Sequence, residues 1–146
     1  MIIKELGHVV LYVTDLNKLA DFYKKILGFN EISRGNGMAI FSSGRTHHEL
    51  LLIEVGGKSR LNKKPEPGLY HIGFKIGDSL DDVKKAYKEL KENDVEIIGS
   101  TDHNVTYSLY IKDPDGNELE LYSDVSNEWK KNPKLILKQP KHLDLS

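Results

Sequence analysis

The chain carries six histidines, 22 aspartates and glutamates and no cysteine. Disulfides and thiolate chemistry are therefore excluded, and any metal ion must be held by imidazoles and carboxylates. Two histidines stand out by position. His8 in "ELGHVVLYV" and His71 in "GLYHIGFKI" occupy equivalent places in two stretches that share an order of elements. A carboxylate stands out by phase. In "YIKDPDGNELELY", residues 110–122, Pro114, Asp115, Gly116 and Asn117 are turn formers flanked by apolar residues. On the returning strand, Glu118 and Glu120 face away from Leu119 and Leu121, because strand side chains alternate with a period of two.

These residues need elements to position them, and the sequence repeats one set twice. "ELGHVVLYVTDLNKLADFYKKILGFNEI" and "GLYHIGFKIGDSLDDVKKAYKELKENDVEII" each run from a β-rich segment with a histidine, through an Asp-containing turn, to an amphipathic helix and another strand. In the first helix Leu16, Leu19, Ala20, Tyr23, Ile26 and Leu27 form one apolar stripe, and Gly28 supplies a stop. In the second, Leu80, Val83, Tyr87 and Leu90 repeat the stripe, with Ser79 as N-cap and Asp82 three residues on, close to a capping box. Strands are expected at 29–33, 38–41 and 49–55, then at 95–98, 106–112 and 118–122. Each half thus reads β-α-β-β-β. "GGKSRLNKKPEPG" between them is polar and rich in Gly and Pro, as a connection should be. The expected organisation is one domain over 1–125, with module one at 1–57, a linker at 58–67 and module two at 68–125, followed by a tail at 126–146.

The 146 residues, 38% of them hydrophobic, suit one domain with a real core. A net charge of −1 gives no electrostatic case for nucleic acid or a membrane surface. The start, "MIIKELGHVV", lacks the apolar segment of a signal peptide, and no run approaches ~20 apolar residues. A cytoplasmic protein is expected.

The paired modules, "HVVLYVTDLNKLADFYKKILGF" and "DPDGNELEL" resemble the vicinal oxygen chelate superfamily over residues 4–125. That superfamily includes glyoxalases, extradiol dioxygenases, fosfomycin-resistance enzymes and metal-free antibiotic-binding proteins. The resemblance implies an α+β fold in which two βαβββ modules form a curved mixed sheet around a cavity with a divalent metal at its floor. The residues matching the metal ligands are His8, His71 and Glu120. Glu118 offers a competing carboxylate on the same face, but it lies too close to the turn. Two imidazoles and one carboxylate on one side of an ion leave several positions open, which suits a bidentate substrate together with O2.

"THHELLL", residues 46–52, resembles a stretch of extradiol catechol dioxygenases in which the histidine before the acid is an acid/base, here His48. "DHNVTYSLYIKDPDGNELELY" is similar to the same enzymes through His103, Tyr110, Glu120 and Tyr122. The resemblance implies an Fe(II)-dependent extradiol dioxygenase acting on a small aromatic diol and O2, although Mn(II) suits the same ligands. His48 would handle protons, Tyr110 would donate to a substrate oxygen, and His103 would order a loop that closes over the ring. Glu49 replaces the commoner Asp, and Leu51 replaces Ala, which narrows the pocket. Taken singly, His47 and His48 also suit an exposed polar pair, and Tyr110 and Tyr122 suit ordinary sheet aromatics.

Three other activities of the superfamily fit less well. A glyoxalase-type isomerase needs a fourth ligand on the last strand of module one, where the sequence reads Leu50-Leu51-Leu52; Glu49 serves only with a shifted register. A fosfomycin-type transferase needs a cationic pocket, and only Arg45 and Lys112 are near the relevant strands. A binding protein without chemistry typically lacks the metal residues present here. In the tail, Leu135-Ile136-Leu137 forms an apolar patch expected to pack across a partner subunit, since homodimers are usual in the superfamily. His142 lies outside both modules and is given no catalytic role.

Overall fold

The computed structural model describes residues 1–59 and 67–145. The chain divides into two compact units, Met1–Leu61 with Pro114–Gly116, and Asn62–Asp113 with Asn117–Ser146. Most of the expected linker, residues 60–66, lies outside the described residues.

In the first unit β1 (Val9–Val13) leads into α1 (Leu16–Asp21), followed by β2 (Glu31–Gly35), β3 (Met38–Phe41) and β4 (Leu50–Glu54). The strands form one sheet in the order β1-β4-β3-β2, with β1 and β4 parallel and the other pairs antiparallel. Alternation decides the faces. Leu11 and Val13 of β1, Ala39 and Phe41 of β3, and Leu50 and Leu52 of β4 are buried with Leu16, Leu19 and Ala20 of α1. Val10 and Tyr12 point the other way and are exposed. Burying an aliphatic side chain contributes roughly 1.5–3 kcal/mol, so this two-sided pattern fixes the register of β1 against β4.

The first helix differs from expectation in its second half. Asp15 caps α1 by accepting from the Lys18 N–H at 2.9 Å. After Asp21 the backbone widens into a π turn over Phe22–Ile26, with Leu27 N donating to Phe22 O at 3.2 Å. Adjacent Phe22 and Tyr23 are both buried there. Gly28, at φ +66°, ends the helix as its sequence position implied. Within the same unit, the turn at 114–116 is anchored by Asp115, which accepts from the Thr14 N–H at 2.8 Å and the Thr14 hydroxyl at 2.5 Å.

The second unit repeats the plan: β5 (His71–Gly77), α2 (Leu80–Glu92), β6 (Ile97–Asp102), β7 (Thr106–Lys112) and β8 (Glu118–Asp124). β5 and β8 are parallel, as β1 and β4 are. The capping box at α2 is complete, because Ser79 Oγ accepts from the Asp82 N–H while the Asp82 carboxylate accepts from the Ser79 N–H. Val83 and Leu90 are the buried residues of α2. β6 begins two residues later than the sequence suggests and carries a register irregularity between Ile97 and Gly99.

The tail is part of this unit. After 3₁₀ turns at Glu128–Lys130 and Pro133–Leu137, β9 (Lys141–His142) pairs with β6, so the sheet runs β5-β8-β7-β6-β9. Ser100 Oγ donates to Leu143 O at 2.7 Å, and Leu145 is buried. Among the described residues, no helix is long and apolar enough to cross a membrane.

Candidate active site

The polar face of the second sheet gathers four of the six candidate residues. Leu119 and Leu121 of β8 are buried on one side, so Glu120 projects from the other. Its register partners are Gly73 on β5 and Tyr110 on β7. A Cβ at Gly73 would lie 3.6 Å from Glu120 Oε2, so the glycine leaves room beside that oxygen.

Three side chains fix the Glu120 carboxylate. Oε1 accepts from the buried Ser108 hydroxyl at 2.6 Å and from the Tyr110 hydroxyl at 3.0 Å. Oε2 faces His71 Nε2 at 3.1 Å. The chain of contacts continues from Tyr110 to His103, whose Nε2 lies 2.8 Å from the phenol oxygen. A phenol has one proton to donate. With that proton directed to Glu120, His103 Nε2 carries a hydrogen and donates to Tyr110. Burial, then the charge and hydrogen bond of Glu120, push the Tyr110 phenol well above its ordinary range, so it remains a protonated donor.

His71, His103, Tyr110 and Glu120 line a cavity of about 410 Å³. Tyr122 and Asp124 of β8 continue the wall, with Val105 and Thr106 at the start of β7. Burial, then Asp124, raise the Tyr122 phenol. Trp129 and Ile136 of the tail also line it. Glu118 is absorbed elsewhere, in a hydrogen bond with Tyr70 that raises the Tyr70 phenol.

The remaining two candidates lie in the first unit. His8 immediately precedes β1 rather than lying within it, and His48 lies two residues before β4. Together with His47 they form a cluster in which one ring nitrogen from each lies within 4.8 Å of the others. The His8 and His48 rings are 4.2 Å apart between centroids, and His47 and His48 are 4.4 Å apart. His48 Nε2 is buried without a hydrogen-bond partner among the described residues. Partial burial, then the neighbouring His8 and His47 rings, lower its pKa, which favours the neutral imidazole.

The donor sets suit a divalent ion. Ligands held about 2.1 Å from one ion at right angles stand about 3 Å apart, which matches the spacing of His71 Nε2 and Glu120 Oε2. His47 and Ser108 were given no role by the sequence. His47 had only its adjacency to His48 to mark it. Ser108 shares the phase of Tyr110 on β7, which was its one legible signal.

A fourth ligand on β4 and a cationic group are weakly supplied among the described residues. Leu50 and Leu52 are buried in the first core, and Leu51 is half-buried. Glu49 accepts from the Ser43 N–H at 2.8 Å and the Ser43 hydroxyl at 3.0 Å. Arg45 pairs with Glu5 and Glu49 and donates to the carbonyls of Leu6 and Gly7.

A fold of paired β-α-β-β-β units bearing histidines and a carboxylate on one sheet defines a class. The family model of the Glyoxalase/Bleomycin resistance protein/Dioxygenase superfamily matches residues 5–121, and the chain belongs to that superfamily. It is 30% identical over 118 residues to "Biphenyl-2,3-diol 1,2-dioxygenase 2" of Rhodococcus globerulus, covering 81% of this chain and 62% of that protein. The chain thus spans about three fifths of that relative's length. It is also 30% identical over 124 residues to "Metallothiol transferase FosB" of Staphylococcus epidermidis, covering 83% of this chain and 84% of that protein. A glyoxalase/dioxygenase structure from Nostoc punctiforme shares the fold at a TM-score of 0.68 and 23% identity, covering 84% of this chain and 92% of that one.

Proposed function

We propose that this protein is an extradiol dioxygenase that cleaves the ring of a catechol-like diol next to its hydroxyls and inserts both atoms of O2. The observation that carries this reading is the row of contacts His103–Tyr110–Glu120–His71 lining the cavity. We place the metal at His8, His71 and Glu120. Bound there, divalent iron would supply electron transfer between diol and O2, with Mn(II) as a substitute.

The chain's own residues then have distinct tasks. The free Nε2 of His48 takes a proton from a substrate hydroxyl and later returns one to product. On substrate binding the Tyr110 phenol turns its one proton from Glu120 to a substrate oxygen, and His103 holds the phenol in place from behind. The protein is read as a cytoplasmic homodimer.

The likeness to FosB over most of both chains favours a second reading, transfer of a thiol to a phosphonate-like substrate. An anionic substrate calls for cations, and the described residues lining the cavity include no lysine or arginine. An isomerase of the glyoxalase type needs a fourth ligand, for which β4 offers leucines and an already engaged Glu49. The dioxygenase reading is therefore preferred.

The test is anaerobic reconstitution with Fe(II), then admission of air with a panel of catechols. O2 uptake with a yellow ring-opened product is expected. No O2 uptake with any catechol, together with thiol transfer or isomerisation of a thiol hemithioacetal, would replace the reading. Metal content should fall sharply in Glu120→Ala and in His71→Ala; near-stoichiometric metal in both would move the site elsewhere.

A further inference from the structure

Parallel pairing brings three histidines together at one end of the first sheet. Val9 of β1 is the register partner of Leu50 of β4, and Val9 N donates to Glu49 O at 2.9 Å, so the approaches to the two strands run side by side. His8 lies on one approach, His47 and His48 on the other. Both approaches are pinned. Arg45 donates to the carbonyls of Leu6 and Gly7 at 3.2 and 3.0 Å, which ties the loop before β4 to the segment before β1. Ser42 Oγ accepts from the Gly44 N–H at 3.0 Å and donates to Thr46 O at 2.6 Å, and this fixes the turn that delivers His47.

One nitrogen from each ring lies within 4.8 Å of the others. Ligands about 2.1 Å from a tetrahedral ion stand about 3.4 Å apart, and the exposed His8 and His47 side chains are free to close the difference. Two details mark a ligand set rather than a surface polar pair. His48 Nε2 is buried with no hydrogen-bond partner among the described residues, an atom that an ion would satisfy. His47 Nδ1 lies 3.2 Å from the Thr46 hydroxyl, and a partner on one ring nitrogen is the usual companion of coordination through the other. The donors also define the ion. Glu49 is held by Ser43 and Arg45, so the set is imidazole alone, which favours Zn(II) over Fe(II) or Mn(II).

We propose that His8, His47 and His48 form a second metal site, an all-imidazole site for Zn(II), and that filling it blocks diol cleavage by engaging His8 and His48. The site stands on the first unit alone. The block rests on the dioxygenase reading above, in which His8 is a metal ligand and His48 moves protons. His47 separates the two sets, because it belongs only to the second. Fe(II) binds imidazole more weakly than Zn(II), so iron content still reports on the first set.

To isolate the site, full-length chain carrying His71→Ala and Glu120→Gln is stripped with chelator and titrated with Zn(II) against a chromophoric competitor. The amide at 120 still accepts from the Ser108 and Tyr110 hydroxyls, which keeps the second sheet satisfied. One zinc per chain is expected. Adding His47→Ala should weaken binding roughly tenfold or more, whereas adding His142→Ala, which removes an exposed histidine outside the cluster, should leave it unchanged. No binding, or an equal loss in both variants, would overturn the site. The block is read on Fe(II)-loaded protein with Glu120 and His71 intact. Zinc should abolish O2 uptake with catechol, and His47→Ala should need roughly tenfold more zinc for the same loss. Identical zinc dependence in the two proteins would show displacement of iron and overturn the block. Absence of O2 uptake before zinc is added removes the dioxygenase reading and the block with it, and the zinc titration alone then decides the site.

Discussion

Glu120 receives two hydroxyl protons on one oxygen and turns the other toward His71. That asymmetry makes Ser108 a positioning residue for the carboxylate proposed as a metal ligand. Outer partners of this kind typically contribute 10- to 100-fold in metal affinity, so Ser108→Ala should weaken metal binding by about that factor, read by competition with a chelator. Ser108→Thr, which keeps the hydroxyl, should restore most of it. His48 belongs to a different step. His48→Ala should retain the metal and bind catechol, yet turn over roughly 10²- to 10⁴-fold more slowly; unchanged kcat in single-turnover measurements would remove its assigned role. At this scale the sequence was informative where chemistry and phase coincided. Glu120 stood out by strand alternation and His71 by its place in the repeat, whereas Tyr110 was marked only by the family resemblance. Ser108 obeys the same alternation, but a serine on a strand carries no chemical mark until its partner is seen.

At the scale of elements, α2 shows how a backbone feature serves a side chain. A Cβ at Gly77 would lie 2.3 Å from both Cγ and Oδ2 of Asp82, the acid of the capping box. Gly77→Ala should therefore push Asp82 out of the cap and cost about 1–2 kcal/mol, the range of a lost N-cap, measured by urea unfolding. The same cap predicts a pH dependence. The hydrogen bond from Ser79 Oγ, then that from the Asp78 N–H, hold the Asp82 carboxyl below its ordinary range. A depressed folded-state pKa adds stability above the unfolded value, and that stability is lost as pH falls through the folded value. Acid should therefore destabilise the native protein more than Asp82→Asn, each compared with itself at neutral pH. Ser79 and Asp82 were readable from their spacing. The π turn after α1 was not, because bonding from residue i+5 instead of i+4 leaves the apolar stripe of Leu16, Leu19, Ala20 and Tyr23 intact.

For the whole molecule, the duplicated plan was legible because each half repeats a complete change of period, from strand to helix to strands. The place of the tail was not. Its apolar residues follow neither period, and β9 is only two residues long, so its pairing with β6 depends on contacts far apart in sequence. Exposed apolar side chains bear on assembly. Val10 and Tyr12 stand on the exposed face of the first sheet, and Ile32 is also exposed. Homodimerisation would cover such surface, so sedimentation at micromolar concentration should give a species of twice the 16.6 kDa chain mass; a monomer throughout that range would refute the dimer.

The pairing of β9 with β6 carries a consequence of another kind. An uncovered outer strand offers a row of free amide and carbonyl groups to any passing chain. By occupying the backbone of Thr101 and Asp102, with Leu143 bonded to Ser100 beyond them, the last residues act as an edge guard. A chain lacking 138–146 should still carry its ligands, and its first symptom should be loss of colloidal stability. Light scattering on warming would register self-association at temperatures where the intact chain stays dispersed.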